Sequence, residues 1–262
     1  MRKTLALLYG VVVYAAFLAV FLYAIGFVTG VAVPKTIDAG ASPLPGPPLL
    51  VDLAVLGLFA LQHSGMARQG FKKRWTKVVP WHVERSTYVL AATALLALVM
   101  WAWKPLPGEV WSVGDPAIAT ALLALSGLGW LTVLLATFLI DHFRLFGLKQ
   151  VWAHLRGRDL EPPAFATPFL YRWVRHPLYL GFIVAFWSAP TMTAGHLLFS
   201  GLTTGWMVLA IQLEERDLVR FHGEAYRRYR ERVRMLVPIP RGEASEREAG
   251  AEPGPGRGEA TS

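Results

Sequence analysis

The chain has 262 residues, of which 54% are hydrophobic and 17% are charged, whereas a soluble domain carries about 25% charged residues. Its mean hydropathy is positive, at +0.39, and its formal net charge is +8. This composition favours an integral membrane protein over a soluble domain. The absence of cysteine excludes disulfides, thiolate metal ligands and cysteine nucleophiles.

Six apolar stretches are each near the ~20 residues that cross the hydrocarbon of a bilayer. They are Leu5–Val33, Leu49–Gln62, Thr87–Trp103, Ala117–Ile140, Leu178–Pro190 and His196–Leu213. Because the second and fifth are short, we expect an all-α fold with five to six transmembrane helices. The first stretch is much longer than the apolar core of a signal peptide, which favours a retained helix.

Basic residues are concentrated in alternate connections between these stretches. The second connection carries Arg68, Lys72, Lys73, Arg74, Lys77 and Arg85, and the fourth is similarly basic. The first and third connections carry few basic residues. The positive-inside rule therefore predicts that both termini face the cytoplasm. The same rule explains the excess of basic residues, because cytoplasmic connections of membrane proteins are rich in them. No nucleic-acid partner is therefore expected.

The sequence RHPLYLG, residues 175–181, opens the fifth apolar stretch. Proline is favoured at the first position of a helix, so a helix is predicted to begin at Pro177. The free amides of Leu178, Tyr179 and Leu180 would attract a carboxylate or phosphate, and Arg175 and His176 add charge there. Aromatic faces suited to an adenine ring or a sulfonium cation come from Tyr171, Trp173 and Tyr179. The alternative is an interfacial belt at headgroup level.

A second polar pattern, EERDLVRFHGEAYRRYRERV, fills residues 214–233. Apolar residues recur at helical spacing, which predicts one amphipathic helix that leaves the membrane on its cytoplasmic side. Glu214 and Glu215 are unfavourable at a membrane exit unless they bind a cation or a partner. The alternative is a basic helix that lies on anionic headgroups.

Together, RHPxYxG and EExxLxxxxGxxYxxY resemble the isoprenylcysteine carboxyl methyltransferase superfamily, whose members are membrane enzymes that use S-adenosylmethionine. The match covers about residues 165–238. It implies a cytoplasm-facing pocket in which one glutamate of the pair binds the amino group of the cofactor. The residues that the resemblance places at the cofactor are Tyr171, Arg175, His176, Pro177, Leu178, Tyr179, Gly181, Glu214, Glu215 and Tyr226.

Residues 61–111 resemble a narrower family, the bacterial methanethiol S-methyltransferases. This resemblance implies a small thiol substrate, dimethyl sulfide as product, and the bacterial inner membrane as location. The thiolate is the reactive form of a thiol, so a nearby base or positive charge would assist. The catalytic candidates are His63, Arg85 and His142. Each also has a structural interpretation, which for Arg85 is a loop ion pair with Glu84. No metal site is predicted, because the histidines and carboxylates lack ligand spacing.

Three other functions remain open: a prenylcysteine carboxyl methyltransferase, a sterol-reductase-like enzyme that uses a nicotinamide cofactor, and a non-enzymatic NnrU-like membrane protein. The sequence divides into N-terminal membrane helices with the acceptor region (1–140), a methyltransferase core (141–240) and a tail (241–262). Glycine, glutamate, proline and serine dominate the tail, so we expect it to be disordered. The sequence makes no prediction of oligomeric state.

Overall fold

The computed structural model describes residues 2–161 and 166–239. Its main helices are α1 (Arg2–Thr29), α2 (Pro48–Ala67), α3 (Gln69–Trp75), α4 (Trp81–Ala102), α5 (Pro116–Ile140), α6 (His142–Leu145), α7 (Leu148–Arg156), α8 (Pro177–Trp187), α9 (Ala194–His222) and α10 (Glu224–Arg232). Two short strands, β1 (Glu109–Ser112) and β2 (Thr191–Thr193), and a 3-10 turn at Phe169–Arg172 complete it. The predicted tail lies outside the described residues.

Five helices in the described part of the chain are long and apolar enough to cross a membrane: α1, α2, α4, α5 and α9. Their outward faces carry large apolar side chains such as Leu8, Leu128 and Leu209, each more than half exposed. Such surfaces suit lipid and not water, because a soluble protein rarely exposes large contiguous apolar patches. The all-α membrane fold predicted from the sequence is confirmed.

The predicted fifth span contains a helix of 11 residues, α8, which is about 16 Å long and covers roughly half of the hydrocarbon. Beyond Trp187 the chain is not helical, and it then forms β2. Strand β2 pairs antiparallel with β1, with Trp111 opposite Met192. The sequence did not predict this two-stranded sheet. We call this end of the bundle the sheet end, and the end that holds Pro177 and Glu215 the motif end.

Helix α8 packs closely on α5 through two glycines. A Cβ atom at Gly181 would lie 2.7 Å from the carbonyl oxygen of Gly129 and 2.9 Å from the amide of Val133. One turn further on, the Ser126 hydroxyl donates to the Ala185 carbonyl at 2.9 Å. Small residues allow the backbones of two membrane helices to approach this closely. The close approach matters because packing and hydrogen bonds hold helices together in lipid. This close packing explains why position 181 is a glycine, without any need for a bound ligand there.

Replacing Gly181 by alanine is therefore expected to destabilise the bundle. The added methyl group meets backbone atoms that cannot move aside cheaply, and overpacking of this kind costs about 1–3 kcal/mol. Thermal unfolding of the purified protein measures the effect. The matched control is Gly127→Ala on α5, where nothing lies within 4 Å of the new Cβ. That control should be neutral or slightly stabilising, and equal losses in both variants would contradict the proposed packing.

The predicted amphipathic helix over residues 214–233 is wrong in one respect, because the structure breaks it at Gly223. This glycine has φ = +56° and separates α9 from α10. A positive φ is easily adopted by glycine alone, so the chain turns there. Within α10, Arg228 lies 3.6 Å from Glu224, one helical turn away, and forms an exposed ion pair with it.

Candidate active site

Backbone hydrogen bonds hold the RHPLYLG motif against the segment that follows α10. The Arg175 amide donates to the Arg234 carbonyl at 2.9 Å, and the His176 amide donates to the Met235 carbonyl at 3.2 Å. Helix α8 then begins at Pro177, as predicted. The turn at Gly223 thus brings the end of the second motif back beside the first.

The first turn of α8 leaves the amides of Leu178 and Tyr179 without a partner inside the helix. The Leu180 amide, which was predicted to be free, instead donates to the His176 carbonyl at 3.1 Å. Two backbone donors and the positive end of the helix dipole therefore remain at this point. They suit a carboxylate or another anionic group.

Glu215 joins the two motifs through a buried ionic cluster. Arg175 donates through Nε to Glu215 Oε1 at 2.7 Å, and His176 Nε2 lies 3.1 Å from the same oxygen. Arg230 Nε lies 3.4 Å from Oε2. Arg175, His176 and Glu215 are each at most 9% exposed. Both carboxylate oxygens are thus engaged by the protein, and the cluster ties α8 to α9 and α10. Arg230, which directly follows the last tyrosine of the second motif, was not predicted from the sequence.

Glu214 has a different environment. It is half-buried and accepts one hydrogen bond within the described part of the chain, from the Tyr179 hydroxyl at 3.2 Å. Its carboxylate also acts electrostatically on Tyr171. Of the two glutamates predicted at the cofactor, Glu214 is therefore the one with capacity left for a cationic ligand, bordered by two tyrosines.

Tyr171 of the 3-10 turn and Tyr226 of α10 lie close enough to this carboxylate to interact with it electrostatically. The Tyr229 hydroxyl donates to the Tyr171 carbonyl at 2.6 Å, and the Tyr226 ring is buried beside Tyr229. Burial, reinforced by the Glu214 carboxylate, raises the pKa of Tyr171. Burial also raises the pKa of Tyr229 to about 12, although the Arg175 guanidinium opposes the shift. Both phenols therefore stay neutral at physiological pH. Tyr229 uses its proton on the Tyr171 carbonyl, whereas Tyr171 can offer a donor and an aromatic face.

His63 lies beside this region, at the end of α2. Both of its ring nitrogens are 3.2 Å from the Tyr88 hydroxyl, and its ring meets the edge of Trp206 at 5.6 Å between centroids. Trp206 donates to the Ser64 hydroxyl at 2.8 Å, which joins α2 to α9. Tyr88 is also close enough to Tyr179 to interact with it electrostatically. Tyr88 and Trp206 were not predicted as site residues, because a tyrosine and a tryptophan inside apolar stretches carry no distinguishing signal.

Arg85 is placed next to His63 by way of Tyr88. Its guanidinium lies 4.9 Å from the centre of the Tyr88 ring, and its Nε donates to the Leu145 carbonyl at 2.6 Å. The loop ion pair considered for Glu84 and Arg85 is wrong, since both residues lie on α4 and Glu84 pairs instead with Lys72 at 3.4 Å.

His142, the third catalytic candidate, is held by structural contacts. Its Nε2 is 2.7 Å from the Tyr14 hydroxyl and its Nδ1 is 2.8 Å from the Thr137 hydroxyl. Its ring stacks on Phe138 at 4.2 Å. These partners belong to α1 and α5, so helix packing explains why this histidine is buried, without a catalytic role. A catalytic role for His142 stays a prediction.

The fold defines a helical membrane protein, and two sequence motifs meet at one end of its bundle to form a candidate ligand site. No family model and no solved structure matches the chain. Methanethiol S-methyltransferase 1 of Bradyrhizobium diazoefficiens is 53% identical over 236 residues, which cover 90% of this chain and 83% of that protein. Methanethiol S-methyltransferase of Mycobacterium tuberculosis is 53% identical over 241 residues, 92% of this chain and 98% of that protein.

The chain belongs to the methanethiol S-methyltransferase family, a family of enzymes. The resemblance that the sequence analysis found in residues 61–111 is thereby confirmed. A more distant relative, nurim of Homo sapiens, is 34% identical over 183 residues, which cover 65% of this chain and 68% of nurim. The relatedness therefore extends beyond the proteins named methanethiol S-methyltransferase.

Proposed function

We propose that the protein transfers the methyl group of S-adenosylmethionine to the sulfur of methanethiol. A bond forms between the thiol sulfur and the methyl carbon while the bond from that carbon to the sulfonium breaks. The products are dimethyl sulfide and S-adenosylhomocysteine, and the thiol proton passes to a base. The observation that carries this proposal is the 53% identity, over nine tenths of the chain, to proteins named for this activity.

The residues at the motif end fit such a cofactor, which supplies a methyl group activated on a cationic sulfur. Glu214 offers a carboxylate to an ammonium group, and Tyr179 orients that carboxylate. The Tyr171 and Tyr179 rings can face a sulfonium or a purine. The amides of Leu178 and Tyr179 suit a carboxylate. Arg175, His176 and Glu215 hold these groups in place without direct contact with the ligand.

We place the thiol between this pocket and His63. His63 takes the thiol proton, and Tyr88 holds its ring in position. The Arg85 guanidinium, behind the Tyr88 ring, adds positive charge that favours the thiolate. The indole of Trp206 closes the site towards the membrane interior. Such an aromatic wall excludes water and leaves room for a small apolar thiol.

The purified protein, incubated with S-adenosylmethionine and methanethiol, is expected to release dimethyl sulfide into the headspace in a 1:1 ratio with S-adenosylhomocysteine. Larger thiols and a prenylcysteine substrate serve as competing acceptors. Methyl ester formation on prenylcysteine without dimethyl sulfide would show that the acceptor is wrong. Binding of NADPH without binding of S-adenosylhomocysteine would instead favour a reductase.

We also propose that the motif end faces the cytoplasm of a bacterial cell, because the basic connections lie at that end. The chain has no cysteine, so single cysteines can report topology. A cysteine at Ala166, which is exposed near the first motif, should react with a membrane-impermeant maleimide only after cells are opened. A cysteine at the exposed Glu109 of β1 should react in intact cells. The reverse pattern would overturn the orientation.

A further inference from the structure

A second polar site lies at the sheet end, far from the proposed active site. His196 stands at the start of α9 and Glu215 near its end, 19 positions or about 28 Å along the helix. Because α8 stops at Trp187, it leaves a cavity of about 220 Å³ at this end. The cavity is lined by residues that include Thr29, Asp38, Ser126, Ser188 and His196.

His196 presents an unused hydrogen-bond acceptor in this cavity. The residue is 2% exposed, and its Nε2 lies 3.0 Å from the Phe186 carbonyl. A carbonyl can only accept, so Nε2 carries the proton and Nδ1 of the neutral ring has a lone pair. Within the described residues, Nδ1 has no hydrogen-bond partner. A buried polar atom without a partner costs free energy unless a ligand or water satisfies it.

Asp38 faces that nitrogen across the cavity. Its Oδ2 lies 3.7 Å from His196 Nδ1, which is too far for a direct hydrogen bond. Its other oxygen accepts from Thr193, which also caps α9. The Asp38 side chain is 33% exposed, so the cavity can be reached from solvent. While the His196 ring is neutral, both groups are acceptors, and a donor placed between them would satisfy both.

The nearby hydroxyls add further acceptors. Thr29 donates its proton to the Ile25 carbonyl at 2.8 Å, and Ser126 donates to the Ala185 carbonyl at 2.9 Å. These two hydroxyls have used their single protons, so each offers the cavity an oxygen lone pair. The carboxylate of Asp38 favours a cation, and the apolar part of the lining, such as Leu123 and Pro190, suits a short alkyl chain.

We propose that this cavity binds a small primary alkylammonium ion. One N–H group donates to Asp38 and a second to His196 Nδ1, and the alkyl group contacts the apolar lining. The bound ion joins the loop between α1 and α2 to the start of α9. This site is independent of the proposed methyl transfer, since it shares no residue with the motif end.

The test uses the full-length protein in detergent and its melting temperature, followed by tryptophan fluorescence. Titration with n-propylammonium chloride should raise the melting temperature saturably, by roughly 3 °C at ten times the dissociation constant. Two comparison solutes are used at equal ionic strength: n-propanol, which lacks the charge, and tetramethylammonium, which lacks the N–H donors. Neither should reproduce the shift.

Asp38→Asn should abolish the shift produced by propylammonium, while Glu109→Gln, which removes an exposed charge at the same end, should keep it. The comparison of the three solutes on the unaltered protein decides the question even if Asp38→Asn folds poorly. The proposal is overturned if tetramethylammonium is as effective as propylammonium, if no saturable shift occurs, or if Asp38→Asn folds and responds like the unaltered protein.

Discussion

Replacing Glu215 by glutamine is expected to cost the protein much of its stability as well as its activity. The substitution leaves the Arg175 guanidinium, which is 8% exposed, without a counter-ion beside His176. Breaking a buried ion pair from one side costs about 3–5 kcal/mol, which corresponds to a fall of roughly 10 °C in melting temperature for a chain of this size. Thermal unfolding without any ligand measures this loss.

The neighbouring substitution, Glu214→Gln, provides the matched comparison. Glu214 is half-buried and bound by the Tyr179 hydroxyl, so the amide can replace the carboxylate at little cost to folding. Loss of the Glu214 charge should instead weaken binding of S-adenosylhomocysteine by about 10- to 100-fold, because a charged hydrogen bond is worth roughly 1.5–3 kcal/mol. Calorimetry measures that affinity. The assignment of roles fails if Glu215→Gln melts like the parent protein, or if Glu214→Gln binds with unchanged affinity.

Replacing His63 by glutamine is expected to lower the turnover of methanethiol at neutral pH by roughly 100-fold, the scale of general-base catalysis. The proposed role of His63 is to take the thiol proton, so the defect should shrink as the pH rises and free thiolate becomes available. The measurement is the rate of dimethyl sulfide release between pH 7 and pH 10. The KM for S-adenosylmethionine should change little.

His142→Gln distinguishes a general base from a buried histidine that only supports the fold. His63 and His142 each contact a tyrosine hydroxyl. The partners of His142, however, lie on α1 and α5. That variant should melt at a lower temperature and keep the parental shape of its pH profile. If His63→Gln shows the same activity loss at every pH, His63 is structural. If His142→Gln shows the pH-dependent recovery instead, the base is His142.

Local chemistry explains the predictions that the structure confirmed. Proline at the first position of a helix predicted the start of α8 at Pro177, because that residue needs no amide partner. The amide of Leu180, in contrast, was not free, since its position in the first full turn gives it the His176 carbonyl. The break at Gly223 was missed because the helical pattern of apolar residues continues through it on both sides.

The sequence by itself determined the membrane class, the approximate positions of the spans and the two motifs, because hydropathy and helix-start chemistry act over a few neighbouring residues. Only the tertiary structure decided which glutamate is engaged by Arg175 and Arg230 and which stays available. It also decided that Tyr88 and Trp206 meet His63, and that Gly181 faces α5. These contacts join residues that are 15 to 143 positions apart along the chain. Such pairings depend on how whole helices pack, which no local pattern encodes.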